Sequence, residues 1–498
     1  MKSIKLRSVC AAVSGALLMG VGVNAMADTT DDILQALIAK GVLTEEEGAL
    51  ISRGRTGEKE AAEEKKKSAV TAKYKDGVVL ESGDGKNSLA INGRVHLDSR
   101  SYDYKESDDV AASGVAPGTI SAAGADTFDI RRARLGAKVK FLDYYEAEVV
   151  ANLSGASSTM DVAYFNIAWW KPVQFRFGQF KMPFSLEQLT SSNNIDFIER
   201  SFVDSYIPAK EIGAMVHGSP YKGVNYGLAA STGRGINNAE NDVRVDDFDV
   251  IGRLTANFAE IMDNKNMVLH AGAAFSKGDI SKGDAATAFG GNRSTEARGA
   301  TFFNAPVVAS NNTAGAAIDR TRVGLETAVA YGPFKVQGQW LKTGFDFDTA
   351  TRGYDSDIKT WYAEALWTIT GETHAERYKG GAFGGIKPKN NFDPVTFKGG
   401  AWEVGARYSK FDASDFNSLG LIAGTGTDAQ VSTKATGFAE ADAWTVGIKF
   451  VPNPHVRFML DYVKTDFENL IGATNPITVN GKTESNEKAL LMRAQFAF

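Results

Sequence analysis

The residues with most to offer chemically are cations set on the polar side of an alternating pattern. Arg132, Arg134 and Lys138 share one parity, and Arg94, Arg176, Arg322, Lys335, Arg407, Lys449, Arg457 and Arg493 each oppose apolar neighbours. Side chains two apart in an extended chain point the same way. These groups would therefore face one compartment, where rows of Arg and Lys favour anions by replacing part of their lost hydration. Glu146, Glu148, Glu326, Glu403 and Asp461 share that face, so it carries both signs. Other chemistries are poorly served. His96, His217, His270, His374 and His455 are far apart, and none has the spacing of a metal-binding motif, so each reads as an inward-facing or solvated histidine. The segment GDGKNS lacks the first glycine of a phosphate loop and leads into a strand, which makes it a turn. No GxSxG is present, so a hydrolase lacks its nucleophile motif. We expect no catalytic residue, no metal ligand and no cofactor.

The elements that must position these cations are strands. In SLAINGRVHLD, Leu89, Ile91, Gly93, Val95 and Leu97 share one face; Asn92, Arg94, His96 and Asp98 share the other. The same two-sided pattern recurs in Val323, Leu325, Val329 and Tyr331 against Arg322 and Glu326, and in Trp444, Val446, Ile448 and Phe450 against Thr445 and Lys449. Short turns at Leu142-Asp143, Lys171-Pro172, Tyr221-Lys222, Gly332-Pro333 and Pro452-Asn453-Pro454 alternate with long polar segments such as 104–126, 181–211, 277–319 and 467–488. One long connection, Gly371 to Gly399, falls on the short-turn side by parity. Short turns on one rim and long loops on the other describe an all-β transmembrane antiparallel barrel. The count is about sixteen strands, wide enough for a water-filled channel. Trp169, Trp361, Trp367, Trp402, Trp444, Tyr331 and Tyr462 are expected at strand ends as interfacial girdles. A soluble sandwich would have to pack its apolar faces together and would not need such girdles. In the barrel, the apolar half faces lipid and the polar half water, so no conventional core is needed.

The N-terminus differs. Lys2, Lys5 and Arg7 precede an apolar stretch from Val9 to Val23 and the small-residue ending Ala25-Met26-Ala27, so residues 1–27 read as a signal peptide. They contain the only cysteine, Cys10, and three cations without an acid. The exported chain then has no thiol and is more acidic than the formal −5 of the whole, which argues against nucleic acid as a partner. Residues 28–70 form a helical, coiled-coil-like periplasmic segment and linker. Ile33, Leu34, Leu37 and Ile38 make an apolar stripe that Gly41 stops, Thr44 and Glu47 make a capping box, and EKEAAEEKKK mixes both signs. Residues 71–498 are the barrel.

Several motifs are specific. FDIRRARLGAKVKF, FRFGQFKMPFSLEQLTSSNNIDFIERS, WTITGE, IKPKN, GAWEVGARYSKFD and the terminal ALLMRAQFAF resemble, in order, the phosphate-selective porin O and P family. The resemblance implies a sixteen-stranded homotrimer in the outer membrane of a Gram-negative bacterium. Its central site would bind phosphate or polyphosphate, and a constriction loop would span residues 181–211. Carried over by position, the family's anion site implicates Arg131 and Arg132 on the second strand, Asp161 on the fourth, and Ser191, Ser192 and Arg200 in the loop. Gln188, Asn193 and Tyr145 stand where the best-known members have lysine, whereas Lys181 and Arg134 stand where those have tyrosine. The expected function is passive diffusion of small anions, with Asp161 and Glu199 holding the cations in place. The alternatives are a general porin of low selectivity, or a structural barrel that links the outer membrane to the cell wall through the N-terminal helices.

Overall fold

A computed structural model describes residues 34–53 (except 36), 64, 69–106 (except 75 and 76), 125–155, 159–233, 235–236, 248–280, 289, 291–308, 318–348, 353–418, 431–433, 435–471, 477–479 and 482–498. The signal-peptide reading and most of the charged run lie outside these residues. The chain divides into two compact units, residues up to Val70 with Ser82–Asp84, and the remainder.

In the first unit, Gly41 takes a left-handed φ of 66° and its N–H reaches the Ile38 carbonyl at 3.0 Å, closing a helical turn. Residues 45–53 are helical. Thr44 N–H donates to Glu47 Oε2 at 2.9 Å, and Glu47 N–H donates to Thr44 Oγ1 at 3.2 Å, the reciprocal pair of a capping box. The Thr44 backbone bond, then its hydroxyl, holds the Glu47 carboxyl below the usual range.

The second unit is a closed antiparallel barrel of sixteen strands. They are β1 (Ser88–Glu106), β2 (Thr127–Phe141), β3 (Tyr145–Asn152), β4 (Thr159–Trp170), β5 (Val173–Lys181), β6 (Lys210–Tyr221), β7 (Val224–Ser231) and β8 (Asp249–Asn257). The ring continues with β9 (Met267–Ile280), β10 (Ile318–Tyr331), β11 (Phe334–Asp348), β12 (Gly353–Thr368), β13 (Ala401–Asp412), β14 (Thr436–Asn453), β15 (Val456–Ile471) and β16 (Lys482–Ala497). Each pairs with its sequence neighbour, and β16 returns to β1 through pairs such as Arg493 with Asp98. Closure leaves no edge strand among the sixteen of the ring, as hydrocarbon requires. Phe498 completes the seam: its N–H donates to the Gly93 carbonyl at 3.0 Å and its carbonyl accepts from Gly93 N–H at 2.9 Å. A Cβ on residue 93 would lie 2.6 Å from the Phe498 ring, so glycine there makes room for the terminal aromatic.

Burial is inverted relative to a water-soluble fold. Val323, Leu325, Val329 and Tyr331 of β10 are exposed while Arg322 and Glu326 are buried; Trp444 and Val446 are exposed while Thr445 and Lys449 are buried. Each exposed large apolar side chain gives up roughly 1.5–3 kcal/mol in water that lipid restores, so this surface is a membrane face. Trp169, Tyr331, Trp367 and Trp402 sit at the short-turn rim. A second aromatic row, Trp340, Trp361, Tyr408 and Trp444, lies six residues further along its strands, about 20 Å at 3.3 Å per residue. Tyr462, expected at a strand end, sits opposite Val446 between the two rows.

The expectation that no conventional core is needed is corrected by an aromatic cluster inside the barrel. Phe202, Phe302, Phe303, Phe345, Phe411 and Phe416 are all buried, with ring centres 5.2 Å apart for Phe302 and Phe411 and 5.4 Å for Phe303 and Phe411. Phe202, Phe302, Phe303 and Phe416 come from described parts of the long connections and pack against Phe345 and Phe411 of the wall. The long connection on the short-turn rim also turns inward. His374 Nε2 lies 2.8 Å from Glu403 Oε2, the Tyr378 hydroxyl and His270 Nδ1 are 2.6 Å apart, and Phe383 is buried under Lys335, whose ammonium lies 4.4 Å from the ring centre.

Candidate functional site

Two neighbouring β-bulges aim the site. On β2, Arg132 pairs with His96 and Ile130 with Leu97, so Arg131 is the extra residue; on β4, Val162 pairs with Val150 and Met160 with Ala151, so Asp161 is the extra residue. A bulge turns two consecutive side chains toward one face. Arg131 thus joins Arg132 in the lumen, although strict alternation would send it outward with Ala133.

The loop between β5 and β6 narrows the lumen. Met182 N–H donates to the Ala209 carbonyl at 2.9 Å and closes the loop's neck. A single helical turn, α1 (Leu186–Leu189), is N-capped by Ser185, whose hydroxyl accepts from Gln188 N–H at 3.2 Å. The segment then crosses to the far wall. Leu186 N–H donates to Glu326 Oε2 at 2.8 Å, Ile198 N–H to Asp461 Oδ2 at 2.6 Å, and Arg493 Nη1 to the Ile198 carbonyl at 2.7 Å. Lys335 pairs with Asp196 at 2.6 Å. Burial alone would raise the Asp196 carboxyl, but Lys335 and then Lys449 hold it below the usual range.

On the near side a cavity of about 710 Å³ remains, and Arg131, Arg132, Arg134, Asp161, Lys181, Ser191, Ser192 and Arg200 all line it. Arg94, Arg176, Lys210 and Glu148 line it too. The eight cations face two carboxylates. Asp161 bridges Arg134, at 2.9 Å, and Lys210. Glu199, just behind, receives Arg131 at 2.8 Å and Arg100 at 3.3 Å. Burial pushes the Glu199 carboxyl up, but Arg131 and then Arg132 and Arg493 take it well below the usual carboxylate range. Arg132 differs: it is buried, its Nη1 has no hydrogen-bond partner, and among the described residues no carboxylate lies within 4 Å of it. The Arg94 guanidinium donates to Ser192 Oγ at 2.9 Å, leaving that hydroxyl's own proton free to donate.

Two sequence readings change. Lys181 does not present a free ammonium: it donates to the carbonyls of Gln188, Leu189 (3.3 Å) and Thr190 (3.0 Å), which close the short helix, and so pins the loop. The expected ring of lumen cations is also uneven. Arg322 is taken by Asp249 (3.2 Å), Arg407 by Glu296 (2.7 Å), Lys449 by Glu403 (2.6 Å) and Arg493 by Asp98 (2.7 Å), while Arg457 binds the Asn193 carbonyl and Asn194 Oδ1. Lys210 was not foreseen. It shares the parity of the outward Ala214 but sits where the strand ends and can turn in to Asp161. Arg94 and Arg176 carried the alternation signal but had not been assigned to the site.

A closed barrel with an apolar outer face and a polar lumen narrowed by an inward loop defines an outer-membrane channel of the porin class. The chain belongs to the phosphate-selective porin O and P family, whose profile matches residues 91–498. Porin O of Pseudomonas aeruginosa is 25% identical over 454 residues, covering 86% of this chain and 92% of that protein. Among solved structures, the anion-selective porin from Comamonas acidovorans aligns at 13% identity and a TM-score of 0.45, over 83% of this chain and 100% of that one. The outer membrane channel DcaP of Acinetobacter baumannii aligns at 10% identity and a TM-score of 0.46, over 83% and 97%. Family membership and the lipid-facing barrel place the protein in the outer membrane of a Gram-negative bacterium.

Proposed function

We propose that the protein is a passive channel for small anions, with phosphate or a similar oxyanion as the preferred solute and the cavity around Arg132 as the point of selection. The observation that carries this reading is the buried Arg132 guanidinium, which lacks a carboxylate in a cavity with eight cations and two acids. An oxyanion there accepts from Arg132 and the serine hydroxyls in place of water, while a cation meets uncompensated like charge. Arg131, Arg134 and Arg200 add to the field, with Asp161 and Glu199 tempering it. Tempering matters because a permeant must leave. For about 10⁵ exits per second at an association rate near 10⁹ M⁻¹s⁻¹, Kd must be near 0.1 mM, or about 5.5 kcal/mol of binding. We also read the assembly as a homotrimer, and residues 28–70 as a periplasmic module able to touch the cell wall. The first rests on family resemblance and the second on the helical character of residues 45–53.

The test is a planar-bilayer recording in a potassium chloride gradient, followed by phosphate titration with sulfate as control. Chloride should permeate better than potassium, and phosphate should block chloride current at lower concentration than sulfate. Cation selectivity in the unmodified channel overturns the reading.

A further inference from the structure

The lower rim carries a feature that conduction does not use. Beyond the inward-folded part of the connection between β12 and β13, residues 390–400 turn outward as a small finger. Asn390 accepts from Gly400 N–H at 2.8 Å, Phe392 N–H donates to the Pro452 carbonyl at 2.7 Å, and Asp393 N–H donates to the Lys398 carbonyl at 2.8 Å. At its tip Val395 is 84% exposed and Phe397 80% exposed, a level that only Phe128 matches among the described large apolar side chains. Phe397 has a φ of 54°, a conformation a bulky side chain rarely takes.

We propose that this finger is an interfacial anchor that seats Val395 and Phe397 in the periplasmic phospholipid leaflet. Three observations select lipid as the occupant. First, the finger is continuous with the membrane face: the Phe392 ring lies between Phe397 (6.1 Å) and Phe450 (5.3 Å), and Phe450 stacks on the outward-facing Trp402 at 4.4 Å. Second, the tip meets part of its own polar demand: Pro394 has no N–H, Asp393 N–H donates to the Lys398 carbonyl, Val395 N–H donates to Asp393 Oδ1 at 2.9 Å, and the Thr396 hydroxyl donates to Asp393 Oδ2 at 2.7 Å. Unpaired backbone donors are what bars most loops from lipid. Third, Lys398 is exposed next to Phe397 in the chain and Lys389 is exposed at the base of the finger, where ammonium groups can meet headgroup phosphates.

The experiment uses the whole protein with Cys10→Ser, refolded into vesicles of phosphatidylethanolamine and phosphatidylglycerol. A nitroxide is attached singly at Phe397→Cys, Val395→Cys, the barrel-wall position Val446→Cys and the polar turn position Asp143→Cys. The ratio of collisions with oxygen to collisions with a water-soluble nickel chelate should be several-fold higher at 395 and 397 than at 143, approaching that at 446. A ratio equal to that at 143 overturns the proposal, placing the tip in water. Dipolar broadening between labels on different copies also overturns it, because a second copy is then the occupant. Conductance measured on the same preparations reports folding separately, and a failed anion-selectivity test would leave the lipid-depth result intact.

Discussion

The two walls of the lumen use the same residue types to opposite ends. On β10 to β16, Arg322, Lys335, Arg407, Lys449 and Arg493 each meet a carboxylate, and the inward loop is bolted to that side through Glu326, Asp196 and Asp461. On β1 to β6, cations outnumber acids around the cavity, and among the described residues no carboxylate lies within 4 Å of Arg132. Counting charges along the strands misses this, because a paired arginine is a fastener and an unpaired one is a binding group.

The largest effect should come from cutting a fastener. Arg407 Nη2 lies 2.7 Å from Glu296, its Nη1 donates to the Glu199 carbonyl at 3.1 Å, and both it and Glu296 are buried. Arg407→Ala leaves buried carboxylates uncompensated, which typically costs about 3–5 kcal/mol. A clear drop in the unfolding midpoint and noisier, wider single-channel currents are expected. Unchanged thermal stability would show that the far wall does not hold the loop.

Arg132→Gln should do the reverse. With no ion pair to break, folding should persist, while one lost charge-assisted hydrogen bond, worth about 1.5–3 kcal/mol, weakens phosphate block of chloride current roughly 10- to 100-fold. Equal phosphate block in the variant would move the site elsewhere.

A smaller effect concerns pH and separates the loop's two glutamates. Burial pushes the Glu187 carboxyl up to about 7, against the pull of Arg407, although Ser201 N–H and its hydroxyl donate to it at 2.9 and 2.6 Å. Because its folded value lies above the ordinary one, its contribution to loop seating is full below about pH 4.5 and is lost as pH rises through about 7. Glu199 has the opposite sign: its contribution is present above about pH 4.5 and is lost as pH falls below that. Open-channel noise should therefore grow as pH rises from about 4.5 to about 7 and level off above it in the unmodified protein, and Glu187→Gln should flatten that rise.

The smallest effect is expected at Lys138. It is 43% exposed and 3.9 Å from Glu146. Solvated pairs of this kind are worth about 0–1 kcal/mol, so Lys138→Gln should change the permeability ratio less than twofold. A large change would show that exposed cations steer anions as strongly as buried ones.

Much of this was legible before the fold was known, for a local reason. Parity along a strand decides which side chains meet lipid, so Leu325 and Trp444 against Arg322 and Lys449, and the approximate number of strands, follow from the order of residues, whereas the seam of Phe498 with Gly93 does not. The inward loop and its anion-facing residues could be anticipated only through family resemblance. What parity cannot see is a bulge, since one extra residue in β2 or β4 turns Arg131 or Asp161 to the other face only when the partner strand sets the register. Nor can it see pairing: Arg493 meets Asp98 across 395 residues and Lys335 meets Asp196 across 139. The sequence by itself determined a closed barrel with a cationic interior. Only the tertiary structure decided which of those cations are neutralised and which face the channel, because charge compensation depends on distances between segments remote in the chain.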